Sequence, residues 1–167
     1  MAVIYISLGS NIEPERYLKS GLTSLREQLG PLTLSSMYES EAVGFDGTNF
    51  LNMVVSAKTH LDIAEVIALF KQIEQNHDRL IGAKKYTPRT LDIDLLLFDE
   101  VVCQTPVVLP RAEITTNAFV LWPLAEIAPD LIHPITCMSY GAMWRDYDKA
   151  SQKLWPVAFE WPQGLTI

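Results

Sequence analysis

Cysteine is scarce in this chain. Cys103 and Cys137 are the only two in 167 residues, too few and too far apart for a disulfide framework, and neither sits in a Cys-x-x-Cys or Cys/His metal spacing. Two reduced thiols are expected. There is no run of about 18 apolar residues, so no membrane-spanning helix is expected. The first residues, Met1 to Leu8, carry no basic segment and reach Gly9 before a cleavable apolar stretch could form, so a cytoplasmic chain without a secretory leader is expected. No GxxxxGK[ST] loop occurs, and no GxGxxG follows a strand, which excludes P-loop and dinucleotide-binding readings. His60, His77 and His133 lack metal-ligand spacing and read as surface or packing residues, and no Ser, Cys or His grouping suggests a covalent nucleophile. Positive charge is also short: 13 Lys and Arg against 20 Asp and Glu leave a net charge of -7, which argues against nonspecific nucleic-acid binding.

Against that scarcity, Arg79, Lys84, Lys85 and Arg89 fall in one stretch that contains no acid. A basic cluster is ordinarily a solvated face. Here it runs directly into Thr90-Leu91-Asp92-Ile93-Asp94-Leu95-Leu96-Leu97-Phe98, an apolar strand carrying two aspartates. Side chains alternate along a strand, so Asp92 and Asp94 project to the same side. Two like charges gathered among apolar neighbours are costly without a cation or donors. Hard oxygen ligands at this spacing suit Mg²⁺, which completes its shell with water and substrate phosphates. Phosphoryl chemistry on a small anionic ligand is the leading expectation.

The remaining chain reads as alternating elements. Val3 to Leu8 is strand-like and ends at Gly9-Ser10-Asn11, after which Pro14 suits a first helical turn and Leu18, Leu22, Leu25 and Leu29 form one stripe. Leu32 to Tyr38 and Phe50 to about Lys58 read as strands on either side of a turn-rich loop. Asp62 and Glu65 make a capping box for a helix whose Ile63, Val66, Ile67, Phe70 and Ile73 face a core. The strand from Ile93 to Phe98, apolar on both faces beyond its aspartates, reads as an interior strand. Together these predict an α/β (α+β) chain with a ferredoxin-like βαββαβ core in a three-layer αβα sandwich. Residues 117–127 predict a short helix made irregular by Pro123. A single domain over 1–167 is expected, with 136–167 as a C-terminal extension whose Trp144, Trp155-Pro156 and Trp161-Pro162 read as packing devices.

Pro88-Arg89-Thr90-Leu91-Asp92-Ile93-Asp94-Leu95-Leu96 resembles the signature of the 6-hydroxymethyl-7,8-dihydropterin pyrophosphokinase family. Leu8-Gly9-Ser10-Asn11, Phe50-Leu51-Asn52, Phe119-Val120-Leu121-Trp122-Pro123-Leu124 and Glu126-Ile127-Ala128-Pro129 match it further and in order, over about residues 3 to 135. The resemblance implies transfer of pyrophosphate from ATP to a pterin alcohol in folate biosynthesis, by a monomer acting on small molecules. It implies that Asp92 and Asp94 hold two Mg²⁺ ions and that Arg79 and Arg89 contact the triphosphate. Lys85, Tyr86 and Arg111 are further implied ATP contacts. The pterin ring is implied to stack between Phe50 and Phe119, with Asn52 reading its edge and backbone groups near Ser40 and Val43 completing the contacts. Glu74 stands at a family position that orders the pocket, although the residue alone reads equally as an exposed helix carboxylate.

The resemblance has gaps. Arg111, Ala112 and Asn117 replace the family's usual His-containing pair and arginine, Ile81 replaces a loop arginine, Lys71 a glutamine and Thr87 a glycine. Loss of one charged transition-state contact costs on the order of tenfold to a thousandfold in rate. A slow enzyme, a paralogue with altered pterin preference, or a noncatalytic binding module would each fit that depletion.

Overall fold

The computed structural model describes residues 1–41, 49–77 and 90–162. Its elements run β1 (Ala2–Ser10), α1 (Pro14–Leu29), β2 (Thr33–Leu34), β3 (Met37–Ser40), β4 (Phe50–Thr59), α2 (Ile63–Asn76), β5 (Asp92–Phe98), α3 (Glu113–Thr116), α4 (Ala118–Ile127), α5 (Tyr140–Asp146) and β6 (Leu154–Val157). The sheet order is β5-β1-β4-β3-β6, with β2 also paired to β4, and every pairing is antiparallel. Without β6 this is the ferredoxin-like order that the βαββαβ pattern predicts.

The first two helices carry local boundary signals. Pro14 opens α1, where its missing N–H costs nothing, and Gly30, at φ 84, closes it in a conformation that suits glycine. Asp62 and Glu65 form the expected capping box on α2, with Glu65 N donating to Asp62 Oδ1 at 2.8 Å and Asp62 N to Glu65 Oε1 at 3.1 Å. Leu18, Leu22 and Leu25 of α1 and Val66, Phe70 and Ile73 of α2 are buried with Ile4, Ile6, Met53, Val55 and Ile93 in one core. On the other face of the sheet, Leu121 and Leu124 of α4 and Tyr140 of α5 bury Val54, Leu96 and Leu97 in a second. This is the three-layer arrangement. Among the described residues no helix is long and apolar enough to cross a membrane.

Two expectations need correction. The strand predicted over 32–38 is two short strands, because Ser35 and Ser36 interrupt it. Ser35 Oγ accepts from Val54 N at 2.9 Å, while Ser36 gives its N–H and its hydroxyl to the Glu126 carboxylate at 2.9 and 2.6 Å. Strand β5 lies at the end of the sheet order rather than in its interior. Both of its faces are nevertheless covered, aided by a register shift opposite Tyr5 and Ile6. Ile6 pairs with Leu95 and Tyr5 with Leu97, so Leu96 bulges and both Leu96 and Leu97 enter the second core. The helix expected over 117–127 is α4, which runs through the buried Pro123. The Phe119 carbonyl thereby loses its i→i−4 donor.

The tail carries structure. β6 pairs antiparallel with β3, and Phe159 and Trp161 pack against the first core with their rings 4.9 Å apart. Trp144 stacks between Trp122, at 5.0 Å, and Tyr147, at 5.5 Å. The thiols are free, Cys103 half-buried and Cys137 exposed.

Candidate active site

The carboxylate pair opens β5. Asp92 is opposite Gly9 and Asp94 opposite Ser7, on the sheet face that continues into the second core. Gly9 and Ser7 are in turn opposite Asn52 and Val54 of β4, so the sheet aligns Asp92, Gly9 and Asn52 in one row and Asp94, Ser7 and Val54 in the next. All of these side chains share one face by strand alternation. Glycine is required in the middle of the first row, since a Cβ at Gly9 would lie 2.6 Å from Asn52 Oδ1. The Asn52 amide therefore lies over the β1 backbone. Its Nδ2 donates to Ser40 Oγ at 3.1 Å, and both residues are buried.

Arg111 closes the other side. The turn after β5 leads the chain back so that Arg111 N donates to Leu96 O at 3.0 Å and Arg111 Nε to Leu95 O at 3.2 Å. One terminal nitrogen of the guanidinium then stands 3.4 Å from Asp94 Oδ1, whose side chain is 52% exposed. Beneath the strand, Glu74 of α2 is buried, and its Oε2 accepts from Ile93 N at 2.9 Å. That amide lies between the two aspartates on the strand edge that β1 does not cover. Glu74 is therefore a buried support for the pair rather than an exposed carboxylate, and the described contacts direct it at β5.

Phe50 is opposite Ser40 in the β3–β4 register and shares the face of Asn52. Phe119 lies in the first turn of α4, the helix that packs over β4 and β3. A cavity of about 250 Å³ opens between Ser40 and Phe119, its remaining wall supplied by Glu41 and residues 150–154. Tyr38, at 4.7 Å from the Trp122 ring, gives its hydroxyl to Glu126 Oε1 at 2.9 Å, and burial followed by that carboxylate pushes its pKa well above the usual phenol range.

The structure thus brings together Ser40, Phe50, Asn52, Asp92, Asp94, Arg111 and Phe119 on one face, with Glu74 behind it. Val43, Arg79, Lys85, Tyr86 and Arg89 lie outside the described residues. Sequence reasoning quoted Glu126 within a matching motif without assigning it a role, and missed Tyr147 and Gln152; the contacts of all three span 31 to 90 positions of chain. No local pattern signals those contacts. Among the described residues no group of three or more His, Cys, Asp or Glu gathers into a metal cluster. A cation on the aspartate pair would draw its remaining ligands from water and a bound phosphate, and that donor set fits Mg²⁺.

A family profile described as 7,8-dihydro-6-hydroxymethylpterin-pyrophosphokinase (HPPK) matches residues 5–129. The 2-amino-4-hydroxy-6-hydroxymethyldihydropteridine pyrophosphokinase of Aquifex aeolicus (strain VF5) is 38% identical over 141 residues, covering 81% of this chain and 86% of the relative. The protein of the same name from Bacillus subtilis (strain 168) is 38% identical over 130 residues, covering 75% and 77%. Among solved structures, wild-type HPPK-DHPS of Plasmodium falciparum superposes with a TM-score of 0.70 at 13% identity, over 87% of this chain. An HPPK-DHPS in complex with substrates superposes with a TM-score of 0.71 at 13% identity, over 90% of this chain. This chain spans 44% of the length of each of those two chains, and at that identity the likeness carries the fold alone.

Proposed function

Because this chain belongs to the 7,8-dihydro-6-hydroxymethylpterin-pyrophosphokinase family, we propose that it transfers pyrophosphate from ATP to the hydroxymethyl group of 6-hydroxymethyl-7,8-dihydropterin in folate synthesis. The observation that carries the reading is the row Asp92, Gly9, Asn52. It sets a carboxylate pair and a buried amide on one face, one strand apart. In the reaction the pterin hydroxyl oxygen bonds to the β-phosphorus of ATP, the bond from that phosphorus to the α,β-bridging oxygen breaks, and AMP leaves.

Asp92 and Asp94 would hold Mg²⁺, which when bound neutralises triphosphate charge and acidifies the attacking hydroxyl. The chain's own groups do the rest. Phe50 and Phe119 present aromatic faces to the flat ring, and Asn52, anchored by Ser40, reads its polar edge. Arg111, fixed by two backbone carbonyl and amide contacts beside Asp94, offers a planar, always-charged donor set to a phosphate carried there. Glu74 holds the backbone between the carboxylates. Arg79, Lys85, Tyr86 and Arg89 complete the ATP side in this reading, and Val43 the pterin side. Residues 1–167 act as one monomeric domain, with α5 and β6 part of it, since β6 extends the same sheet.

The test is AMP release from Mg-ATP with and without 6-hydroxymethyl-7,8-dihydropterin, using purified protein and Asp92→Ala. Pterin-dependent AMP that vanishes in the variant is expected. AMP formation indifferent to the pterin, or unchanged by the substitution, would overturn the assignment.

A further inference from the structure

The segment joining α5 to β6 touches both walls of the cavity between Ser40 and Phe119, and its contacts there are specific. Gln152 Oε1 accepts from Ala118 N at 2.7 Å, and Gln152 Nε2 donates to Thr116 O at 3.1 Å. Tyr147 Oη gives a second hydrogen bond to the same Thr116 carbonyl at 2.8 Å. Two residues later the chain becomes β6, where Leu154 is opposite Ser40 and Trp155 opposite Glu39. One short strap therefore holds the backbone that enters Phe119 and, at its other end, the strand that carries Ser40.

The first turn of α4 needs this support. The amide of Ala118, the first residue of α4, has no intrahelical acceptor, and Asn117 at the N-cap adds no side-chain capping bond to the turn. Pro123 removes the donor that would have reached the Phe119 carbonyl, which loosens the same turn from the other side. Gln152 supplies from 34 residues away an acceptor for this first helical amide, which an N-cap side chain, serving the second or third amide, does not reach. Its amide is suited to the task because it both accepts from Ala118 and donates to Thr116, fixing the peptide planes on each side of Asn117.

From this geometry we infer that Gln152 is a positioning residue for the aromatic substrate. Through the 116–118 backbone it sets where the Phe119 ring stands, while the β6 end of the strap sets Ser40, and the two together fix the width of the slot the heterocycle enters. The inference rests on the reading of Phe119 as a stacking platform. ATP, bound at the carboxylate end of the face, does not depend on the clasp.

The experiment measures the Kd for 6-hydroxymethyl-7,8-dihydropterin and the KM for ATP in Gln152→Ala, Gln152→Glu, Phe119→Ala and the Gln152→Ala/Phe119→Ala double variant. Loss of both amide bonds is expected to weaken pterin binding about tenfold with the KM for ATP changed less than about twofold. Gln152→Glu keeps an acceptor for Ala118 N but loses the donor to Thr116 O, so it should fall between wild type and Gln152→Ala, and it carries the test if the alanine variant fails to fold. In the Phe119→Ala background, Gln152→Ala should add less than about twofold, because its target is already gone. Equal losses for ATP and pterin, or a full tenfold loss added to Phe119→Ala, would make Gln152 a general structural residue and overturn the inference. Pterin binding untouched by Phe119→Ala would instead refute the platform assignment beneath it. A silent Gln152→Ala beside a damaging Phe119→Ala would refute the clasp alone.

Discussion

Replacing Gly9 by alanine tests the row on which the site is built. The added methyl would stand 2.6 Å from Asn52 Oδ1, with Leu51 O also within contact at 3.7 Å. An ordinary carbon–oxygen contact lies well beyond 3 Å, so the Asn52 side chain must withdraw by roughly 0.7 Å. It has little room to do so, because it is 7% exposed and its Nδ2 is committed to Ser40 Oγ. Overpacking of this kind costs about 1–3 kcal/mol, and a strained or lost Asn52–Ser40 hydrogen bond about 1 kcal/mol more. Alanine in place of glycine in extended backbone returns roughly 0.5–1 kcal/mol by restricting the unfolded chain. The net loss is about 1–3 kcal/mol, which for a chain of this size lowers Tm by about 3–10 °C. Thermal unfolding of Gly9→Ala reads that loss, and steady-state AMP release reads its functional counterpart, a raised KM for the pterin with the KM for ATP nearly unchanged. A variant with wild-type Tm and wild-type pterin KM would show that Asn52 is not confined over β1 and would remove the basis of the row.

Further outcomes follow from the same contacts. Asp94→Ala should reduce kcat by at least about a hundredfold through loss of a carboxylate that would hold Mg²⁺, yet leave Tm almost unchanged, because a half-exposed pair with Arg111 contributes only about 0–1 kcal/mol; near-normal turnover would sink the metal assignment. Glu74→Ala leaves the Ile93 amide without its buried acceptor and should cost about 1–3 kcal/mol in urea unfolding, whereas Glu74→Gln, which keeps an acceptor, should recover most of it. His133 is buried, and its Nδ1 accepts from Ile135 N and Thr136 N. Burial lowers its pKa below the ordinary 6.5, so the unfolded chain takes the proton first and stability falls as pH drops below about 6.5. The slope of unfolding free energy against pH between 6.5 and 5 should flatten in His133→Gln, and an unchanged slope would exclude the histidine as its source.

The sequence and the structure agree where periodicity reports on burial. The leucine stripe of α1, the capping box of α2 and the alternation in β1 are all local, and each element forms where its pattern places it. Periodicity describes the two faces of a strand and is silent about its edges, which is why β5, apolar on both faces, reads as interior while lying at the end of the sheet. Its exposed edge is met by a glutamate carboxylate and by the returning loop at Arg111, contacts that no alternation encodes. The break at Ser35 and Ser36 has a similar origin, since the residue that captures Ser36, Glu126, is 90 positions away. At the site, the aspartate pair was legible because carboxylates among apolar strand residues need a chemical reason. Gln152 was not, because an amide in a polar stretch needs none.

The strand between the carboxylates and Asn52 has a consequence for which alcohols can react. Neighbouring strands lie about 4.8 Å apart, so Asp92 and Asn52, separated only by Gly9, stand about 10 Å apart across the sheet. In the proposed reading, a substrate held by its polar edge at Asn52 would deliver its hydroxyl to the phosphate only if its own length matched that separation. The pairing of β1 with both neighbours holds this backbone spacing whatever rotamers the two side chains adopt. The sheet is thus a molecular gauge: a shorter or longer arm on the same heterocycle would bind in the same slot with its oxygen out of line for transfer.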